Sequence, residues 1–512
     1  MFFTKLERVL FYITLFTIAS IISTSYFLPM LDLPQHAGQV QSFKTIFLGQ
    51  ADSSWFQKLE VNYFTTYWIG YLFTFLFSFI LPINYAINTV VGMAFLLFVL
   101  SFSSLRKDFN SPAVLDWVLM PSFFGFAYML GLLTFVLAIP LGVFLLKQNL
   151  RLIHTGQKKY IYSTFIIGFF LYFSHILIFL LFCLIASLMT LVNQADTFKS
   201  KLKKLLPFYI LVFLVPLYFL IPILCNQGDL GQYFNLINYS NFNFGIFDLK
   251  IINFLVYPWA LQTEDYLIPL ELISIFILIF PFFMGYRLSS DIKKYIPLFS
   301  FLLAWFLLPT QMAKTSFIYE RFSIFLFPFY ILIFERRSEY LTLIEKRIKI
   351  FFSCLWIFLC IGMLKPPVKD IFSFNQETKD FHAIIEKLPE KKIALSLVYD
   401  TSGQIGRRID SSFAYFPLWY QAIKNGWVEY NFAWFSPQIV KYKSDAVPEN
   451  RPGFAWNPKM FSTFKKCNYY DLLIVRTVNE EQYQIHEKLM TQSTCSHHLI
   501  YQNGFWSIYS LE

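Results

Sequence analysis

VLFYITLFTIASIISTSYFLP fills residues 9–29 and carries no charged side chain. A helix needs about 20 such residues to cross the hydrocarbon core of a bilayer, so this stretch reads as a membrane span. It is too long for the apolar core of a signal peptide and no A-x-A cleavage site follows it, so it is expected to be retained. Working outward, further apolar runs occupy 65–81, 85–104, 113–147, 160–174, 175–192, 205–225, 264–286, 295–310, 319–334 and 347–364. The run 113–147 fits one bent helix or two short ones. Tyr160 to Leu191 reads as a hairpin of short helices that turns near Ser174 and His175. The expected fold class is a polytopic α-helical membrane protein of about eleven spans, with thirteen as the alternative.

Composition agrees. The 512 residues are 56% hydrophobic, 21% aromatic and 14% charged, with 64 Phe and 31 Tyr. Soluble domains carry nearer 25% charge, so this balance points to lipid. The net charge of +10 does not mark a nucleic-acid protein, because the basic residues sit in short loops between apolar runs. There they act as topology signals. Segments assigned to the cytoplasm carry 18 Lys and Arg, against 7 in the outer loops and span edges. Arg106 and Lys107 are the exception to this bias, and Asp116 is placed near the outer start of the fourth run. An inner N-terminus and an odd number of spans put everything after Lys365 outside.

The expected domains are therefore a helical membrane domain, 1–365, with outer loops 30–64 and 226–263, and a C-terminal domain, 366–512. In the second, IALSLVYD (393–400) and DLLIVRT (471–477) read as buried strands, WSIYSLE (506–512) as an alternating strand, and Lys379 to Leu388 as a helix. This suggests a small α/β domain on the outer side. Trp419, Tyr420, Trp427, Tyr430, Trp434 and Trp456 in its middle are either a carbohydrate-stacking surface or core. Cys467 and Cys495 are either bridged or free structural thiols. The cytoplasmic loops are too short for a nucleotide-binding domain and hold no GxxxxGK[ST] or GxGxxG phosphate loop.

Ionisable groups in or beside spans are energetically unfavourable and therefore informative. Outside the cytoplasmic loops they gather at the outer edge of the expected bundle. Asp32 and His36 follow the first span in LDLPQHAGQ, and His175 sits at the turn of the short hairpin. Glu264, Asp265 and Glu271 open the eighth span, and Lys314, Glu320 and Arg321 lie at the start of the tenth. Each has a structural reading as well: a helix end for Asp32, a solvated loop for His36, a satisfied backbone partner for His175, an ion pair for Glu320 and Arg321. Their convergence on one level is best explained by a polar cavity.

The layout, together with DLPQH (32–36), FSH (173–175), YERF (319–322), YDLLIVR (470–476) and a closing FWSIYS, resembles the GT-C superfamily of membrane glycosyltransferases, in a bacterial branch. The resemblance implies an inner-membrane enzyme with its C-terminal domain on the periplasmic side. It would move a sugar from a polyprenyl-phosphate donor to an acceptor hydroxyl on a glycan, glycolipid or protein, with inversion. Asp32 would be the general base. Arg321, helped by Lys314, would hold the phosphate, while His36, His175, Glu264, Asp265 and Glu320 would line the substrate pocket. Asp32 has no paired acidic partner and no His/Cys/Asp cluster has metal-ligand spacing, so no metal ligand is assigned and the cofactor is unknown, with a divalent cation as the open alternative. The competing reading is a non-catalytic relative or a lipid-linked glycan flippase. Against a transporter stand the absence of a clear internal repeat and of charges at the bilayer centre.

Overall fold

Apolar helices dominate the computed structural model, which describes residues 2–194, 196–213, 215–216, 243–259, 267–312, 315–336, 342–403, 411–435, 437–446, 457–458, 469–493 and 495–511. In chain order the α-helices of six or more residues are α1 Phe2–Thr24, α2 Leu33–Phe47, α3 Trp68–Phe77, α4 Ile83–Asp108, α5 Leu133–Thr155, α6 Lys158–Tyr172, α7 Ile176–Val192 and α8 Phe198–Val212. Then come α9 Phe247–Val256, α10 Leu267–Phe283, α11 Ile296–Leu307, α12 Leu343–Glu377, α13 Lys379–Ile385, α14 Trp419–Lys424 and α15 Glu480–Ser493. Packing divides the chain into two compact units. Unit 1 holds Met1–Ser20 and Gly92–Val368; unit 2 holds Ile21–Val91 and Lys369–Glu512.

Among the described residues five helices are long and apolar enough to cross a membrane: Lys5–Thr24, Ile83–Asp108, Ala113–Leu130, Leu133–Thr155 and Ile344–Glu377. The run 113–147 thus contributes two helices, separated where Gly131 takes a left-handed φ of 84° that a side chain would oppose. The expected hairpin is present as α6 and α7, joined through residues 173–175. The run 65–81 needs correction. Only Trp68–Phe77 is helical, and ten residues rise about 15 Å, half a bilayer. Its buried face packs through Phe75 on Phe43 of α2, with ring centroids 5.0 Å apart.

Unit 1 also removes the topological exception. Arg106 Nε lies 2.8 Å from Asp116 Oδ1, Trp117 Nε1 donates to Glu7 Oε1 at 3.0 Å, and Lys147 Nζ lies 2.9 Å from Asp108 Oδ2. Asp116 and the Arg106–Lys107 pair therefore share the end of the unit that carries the start of α1 and Lys147. Placing them at the opposite, outer end was wrong, because α4 returns towards the chain's beginning before 113–130 starts.

The composition shift at 365/366 falls inside α12, which runs through Pro366 and Pro367 to Glu377. The strands are β1 Leu59–Val61, β2 Tyr286–Leu288, β3 Gln311–Met312, β4 Thr315–Ser316, β5 Phe334–Arg336, β6 Ile393–Val398, β7 Trp427–Val428, β8 Val440–Tyr442, β9 Leu472–Arg476, β10 His497–Asn503 and β11 Trp506–Leu511. In unit 2 five of them form a sheet in the order β10-β11-β9-β6-β7. Strand β6 is parallel to β7 and β9, and β11 is antiparallel to β9 and β10. The three expected strands are found. Trp419, Tyr420, Trp427 and Tyr430 are buried at 3% exposure or less, so they are core and cannot stack on a sugar. Trp456 and Cys467 lie outside the described residues, and Cys495 is disulfide-bonded.

Helix α2 packs in the same unit. Gln35 Nε2 donates to Tyr430 O at 3.3 Å, Gln39 Oε1 accepts from Val440 N at 3.0 Å, and Gln421 Nε2 donates to Ser42 Oγ at 3.1 Å. Gly38 admits this approach, since a Cβ there would sit 3.2 Å from Gln421 Cδ. Short strands Leu59–Val61 and Val440–Tyr442 pair antiparallel beside it.

His486 on α15 makes unit 2 acid-sensitive. Its ring is fully buried, and Nδ1 lies 3.1 Å from the Tyr399 hydroxyl. Burial, reinforced by His497, pulls it from 6.5 down to about 4. The folded state thus favours the neutral ring, and the associated stability is complete above pH 6.5. As pH falls towards 4 about 3 kcal/mol of it is lost. Thermal unfolding of the parent and His486→Phe across that window checks this; the variant is expected to show the shallower decline.

Candidate functional site

The residues singled out in the sequence are divided between the two units. In unit 2 Asp32 is the N-cap residue of α2, with φ −88° and ψ −2°, and Pro34 supplies the φ of the first turn. Asp32 is half-buried and makes no side-chain cap hydrogen bond. A carboxylate there is favoured by the helix dipole. His36 follows four residues later on the same face, with His36 N donating to Asp32 O at 3.1 Å.

His36 is 4% exposed, and its orientation is set by a relay that the sequence did not reveal. Tyr71 Oη donates to Gln438 Oε1 at 2.5 Å and lies 2.7 Å from His36 Nδ1. The single hydroxyl proton is used on Gln438, so Nδ1–H must donate to Tyr71. In the neutral ring that leaves Nε2 as the basic nitrogen. The ring is flanked by Phe432, with centroids 5.1 Å apart. Asp32 lies within electrostatic reach of Tyr71 and Tyr415, and burial followed by the Asp32 charge pushes the Tyr415 hydroxyl up. This end of α2 thus gathers a carboxylate, an imidazole and two phenols from chain segments nearly 400 residues apart in number.

In unit 1 His175 has a structural job. It caps α7, its Nδ1 accepting from Leu177 N at 3.3 Å, and it is 2% exposed. Its ring meets Phe135 edge-on at 5.2 Å, and Phe135 meets Phe322 at 5.8 Å, so His175 and the Glu320–Arg321 turn share an aromatic neighbour. Glu320 is 4% exposed; Oε1 accepts from Thr310 Oγ1, while Oε2 has no hydrogen-bond partner among the described residues. Arg321 donates through Nε and one terminal nitrogen to Phe317 O and Ser316 O, both at 2.8 Å. These bonds brace a turn in which Phe317 has φ 58°.

Lys250 is the residue that sequence reasoning passed over, having counted it as a loop cation. It is 2% exposed on α9, and Nζ donates to Leu308 O at 2.7 Å and Phe306 O at 3.2 Å, at the C-terminal end of α11. It also sits 4.2 Å from the centroid of the Tyr319 ring. The signal was a lone cation within the apolar stretch FDLKIINFLV. Glu264, Asp265 and Lys314 lie outside the described residues, as does most of the loop 226–263. Among the described residues no group of three His, Cys, Asp or Glu could hold a metal ion.

No family model matches the chain, and no curated protein does. Solved structures do. ArnT from Cupriavidus metallidurans bound to undecaprenyl phosphate superimposes with TM-score 0.54 over 98% of this chain and 97% of its own, at 10% identity. The apo state of the same protein gives 0.51 over 99% and 98%, at 9% identity. This chain thus shares the fold of ArnT over nearly its whole length.

Proposed function

We propose that the chain is a membrane glycosyltransferase that moves a sugar from a polyprenyl-phosphate-linked donor to an acceptor hydroxyl on the non-cytoplasmic face, with inversion at the anomeric carbon. The observation that carries it is the end-to-end likeness to a protein whose structure holds undecaprenyl phosphate. About eleven crossings are retained, since 65–81 drops out and 113–147 supplies two. The C-terminal sheet then lies outside.

The acceptor oxygen attacks the anomeric carbon as the bond to the phosphate oxygen breaks, and the acceptor proton passes to Asp32. A half-buried carboxylate at a helix start suits a general base. His36, held by Tyr71, aligns a hydroxyl through Nε2. Arg321 neutralises the departing phosphate, and its braced guanidinium is pre-organised for charge-assisted hydrogen bonds. His175, the cap of α7, lines the substrate pocket in the proposal. Lys314, Glu264, Asp265 and Glu320 complete the substrate contacts in the proposal.

Undecaprenyl phosphate binding tests the reading without knowledge of the sugar. Native mass spectrometry of the purified chain should detect a one-to-one adduct. Arg321→Ala is expected to weaken it on the order of 10–100-fold, as a hydrogen bond between charged groups is worth roughly 1.5–3 kcal/mol. A parent protein that retains no adduct would remove the basis for the assignment.

A further inference from the structure

The two-stranded ribbon of β2 and β5 in unit 1 has two unlike faces. Tyr286 stands opposite Arg336, and Arg287 opposite Glu335. Side chains alternate along a strand and directly opposed residues share a face. Arg287 and Glu335 therefore lie on one side, Tyr286 and Arg336 on the other. The first side is closed on itself: Arg287 Nε lies 2.9 Å from Glu335 Oε1, and Ser289 Oγ donates to Glu335 Oε2 at 2.6 Å. The second side meets α12. Phe352 stacks on Phe283 at the end of α10, with centroids 5.8 Å apart, and one turn earlier Lys349 Nζ sits 4.7 Å from the Tyr286 centroid. Arg336 is within electrostatic reach of Lys349. Neither side chain makes an ion pair or hydrogen bond among the described residues, and the Tyr286 hydroxyl makes no hydrogen bond there.

Glu7 lies within reach of Tyr286, but its Oε1 accepts from Trp117 Nε1 at 3.0 Å. That neighbour also places the ribbon at the end of unit 1 that carries the start of α1. The span-length part of α1 begins at Lys5 and that of α12 at Ile344. Arg336 and Lys349 thus stand where hydrocarbon gives way to head groups. Beside Lys349, Ile348 and Phe351 are 47% and 64% exposed, an apolar wall running on from the cations. Topology signals explain why basic residues gather in a loop. They do not explain two like charges drawn to one aromatic ring with no acid between them, since such charges repel. Elsewhere at this end the buried cations are matched, Lys147 by Asp108 and Lys204 by Asp196. A compact anion with several acceptor oxygens satisfies a guanidinium, an ammonium and a phenol together, and a phosphate ester has that chemistry.

We propose that Arg336, Lys349 and Tyr286 bind the phosphate of an anionic lipid in the leaflet at this end, the cytoplasmic one in the topology expected from the sequence. Arg336 is suited to two phosphate oxygens and Lys349 to a third, with an acyl chain lying along Ile348 and Phe351. A head group with its own ammonium would bring another cation to the ring, so phosphatidylglycerol is favoured over phosphatidylcholine. The inference is independent of the transfer chemistry assigned to Asp32.

Native mass spectrometry of the full-length protein in detergent tests it, with dioleoyl phosphatidylglycerol, dioleoyl phosphatidylcholine and inorganic phosphate as probes. Two cations at a head group should favour the phosphatidylglycerol one-to-one adduct by about 10–30-fold. Arg336→Gln combined with Lys349→Gln should remove the preference. Lys158→Gln combined with Lys159→Gln takes the same charge from exposed positions at the start of α6 and should leave it intact. Arg336 is exposed, so Arg336→Gln alone reads the site without disturbing α12 and should lower the preference about five-fold. Equal adducts of the two lipids on the parent would overturn the inference, as would a preference that survives the Arg336 and Lys349 substitutions. An equal loss in the Lys158 and Lys159 variant would do so as well, by reducing the effect to diffuse charge. Displacement of phosphatidylglycerol by millimolar inorganic phosphate would mark a soluble anion as the occupant and overturn the assignment to lipid.

Discussion

Replacing Asp32 by Asn is expected to lower sugar transfer on the order of 10²–10⁴-fold, the usual contribution of a positioned general base. The substitution preserves shape and removes only the proton-accepting charge. The Asp32 side chain makes no cap hydrogen bond to α2, so what it gives that helix is the dipole interaction, about 0.3–1 kcal/mol, and asparagine keeps its shape for other neighbours. Undecaprenyl phosphate binding and the melting temperature should therefore stay near the parent values while product disappears. That separation is what distinguishes a base from a residue that merely holds the loop. The measurement is transfer from radiolabelled undecaprenyl-phosphate sugars to extracted membrane glycolipids by the protein in nanodiscs. Transfer by Asp32→Asn at the parental rate would eliminate the assignment.

How far the sequence reached follows from the range over which its signals act. Periodicity and length placed α1, α4, α5 and the α6–α7 hairpin, because a bilayer imposes the same local requirement on each run. Strands β6, β9 and β11 were equally legible, being short apolar or alternating runs bounded by turn residues. The 65–81 run failed for the same reason the others succeeded. Hydropathy reports what a segment avoids, and a ten-residue helix packed by one face on α2 avoids water as a span does. Asp116 misled for a different reason: its neighbours Arg106 and Glu7 are set by how helices return, not by local sequence.

The candidate site divided along the same line. DLPQH announced itself because a proline-started helix after a span is a local pattern. Tyr71, Tyr415 and Gln438 could not be found that way. Tyr71 arrives on α3, and the other two reach α2 only when the C-terminal part of unit 2 packs with the first loop, a contact that joins Gln39 to Val440 and carries no mark in either stretch. His175, singled out for its chemistry, also caps α7, as a histidine that starts an apolar helix can.

The most destructive single change in unit 2 is expected to be Arg476→Met, at about 3–5 kcal/mol, the range for removing one partner of a buried ion pair. Arg476 ends β9 with a side chain only 3% exposed. One terminal nitrogen donates to Asp400 O, the other lies 3.8 Å from Glu377 Oε1, and the guanidinium sits 4.0 Å from the Phe413 centroid. Burial pulls the group down to about 10, against the opposing pull of Asp400 and Glu377, so it stays charged at neutral pH. Methionine keeps most of the volume over Phe413, and the loss is then electrostatic. Glu377, 9% exposed at the C-terminal end of α12, would face the negative end of its own helix without that cation. Arg476→Met combined with Glu377→Gln should therefore regain most of the stability, because the stranded charge is gone. Urea unfolding of the full-length protein in detergent, followed by near-ultraviolet dichroism, measures both variants. If the single and double substitutions unfold at the same midpoint, packing over Phe413 holds this corner together and the ion pair does not.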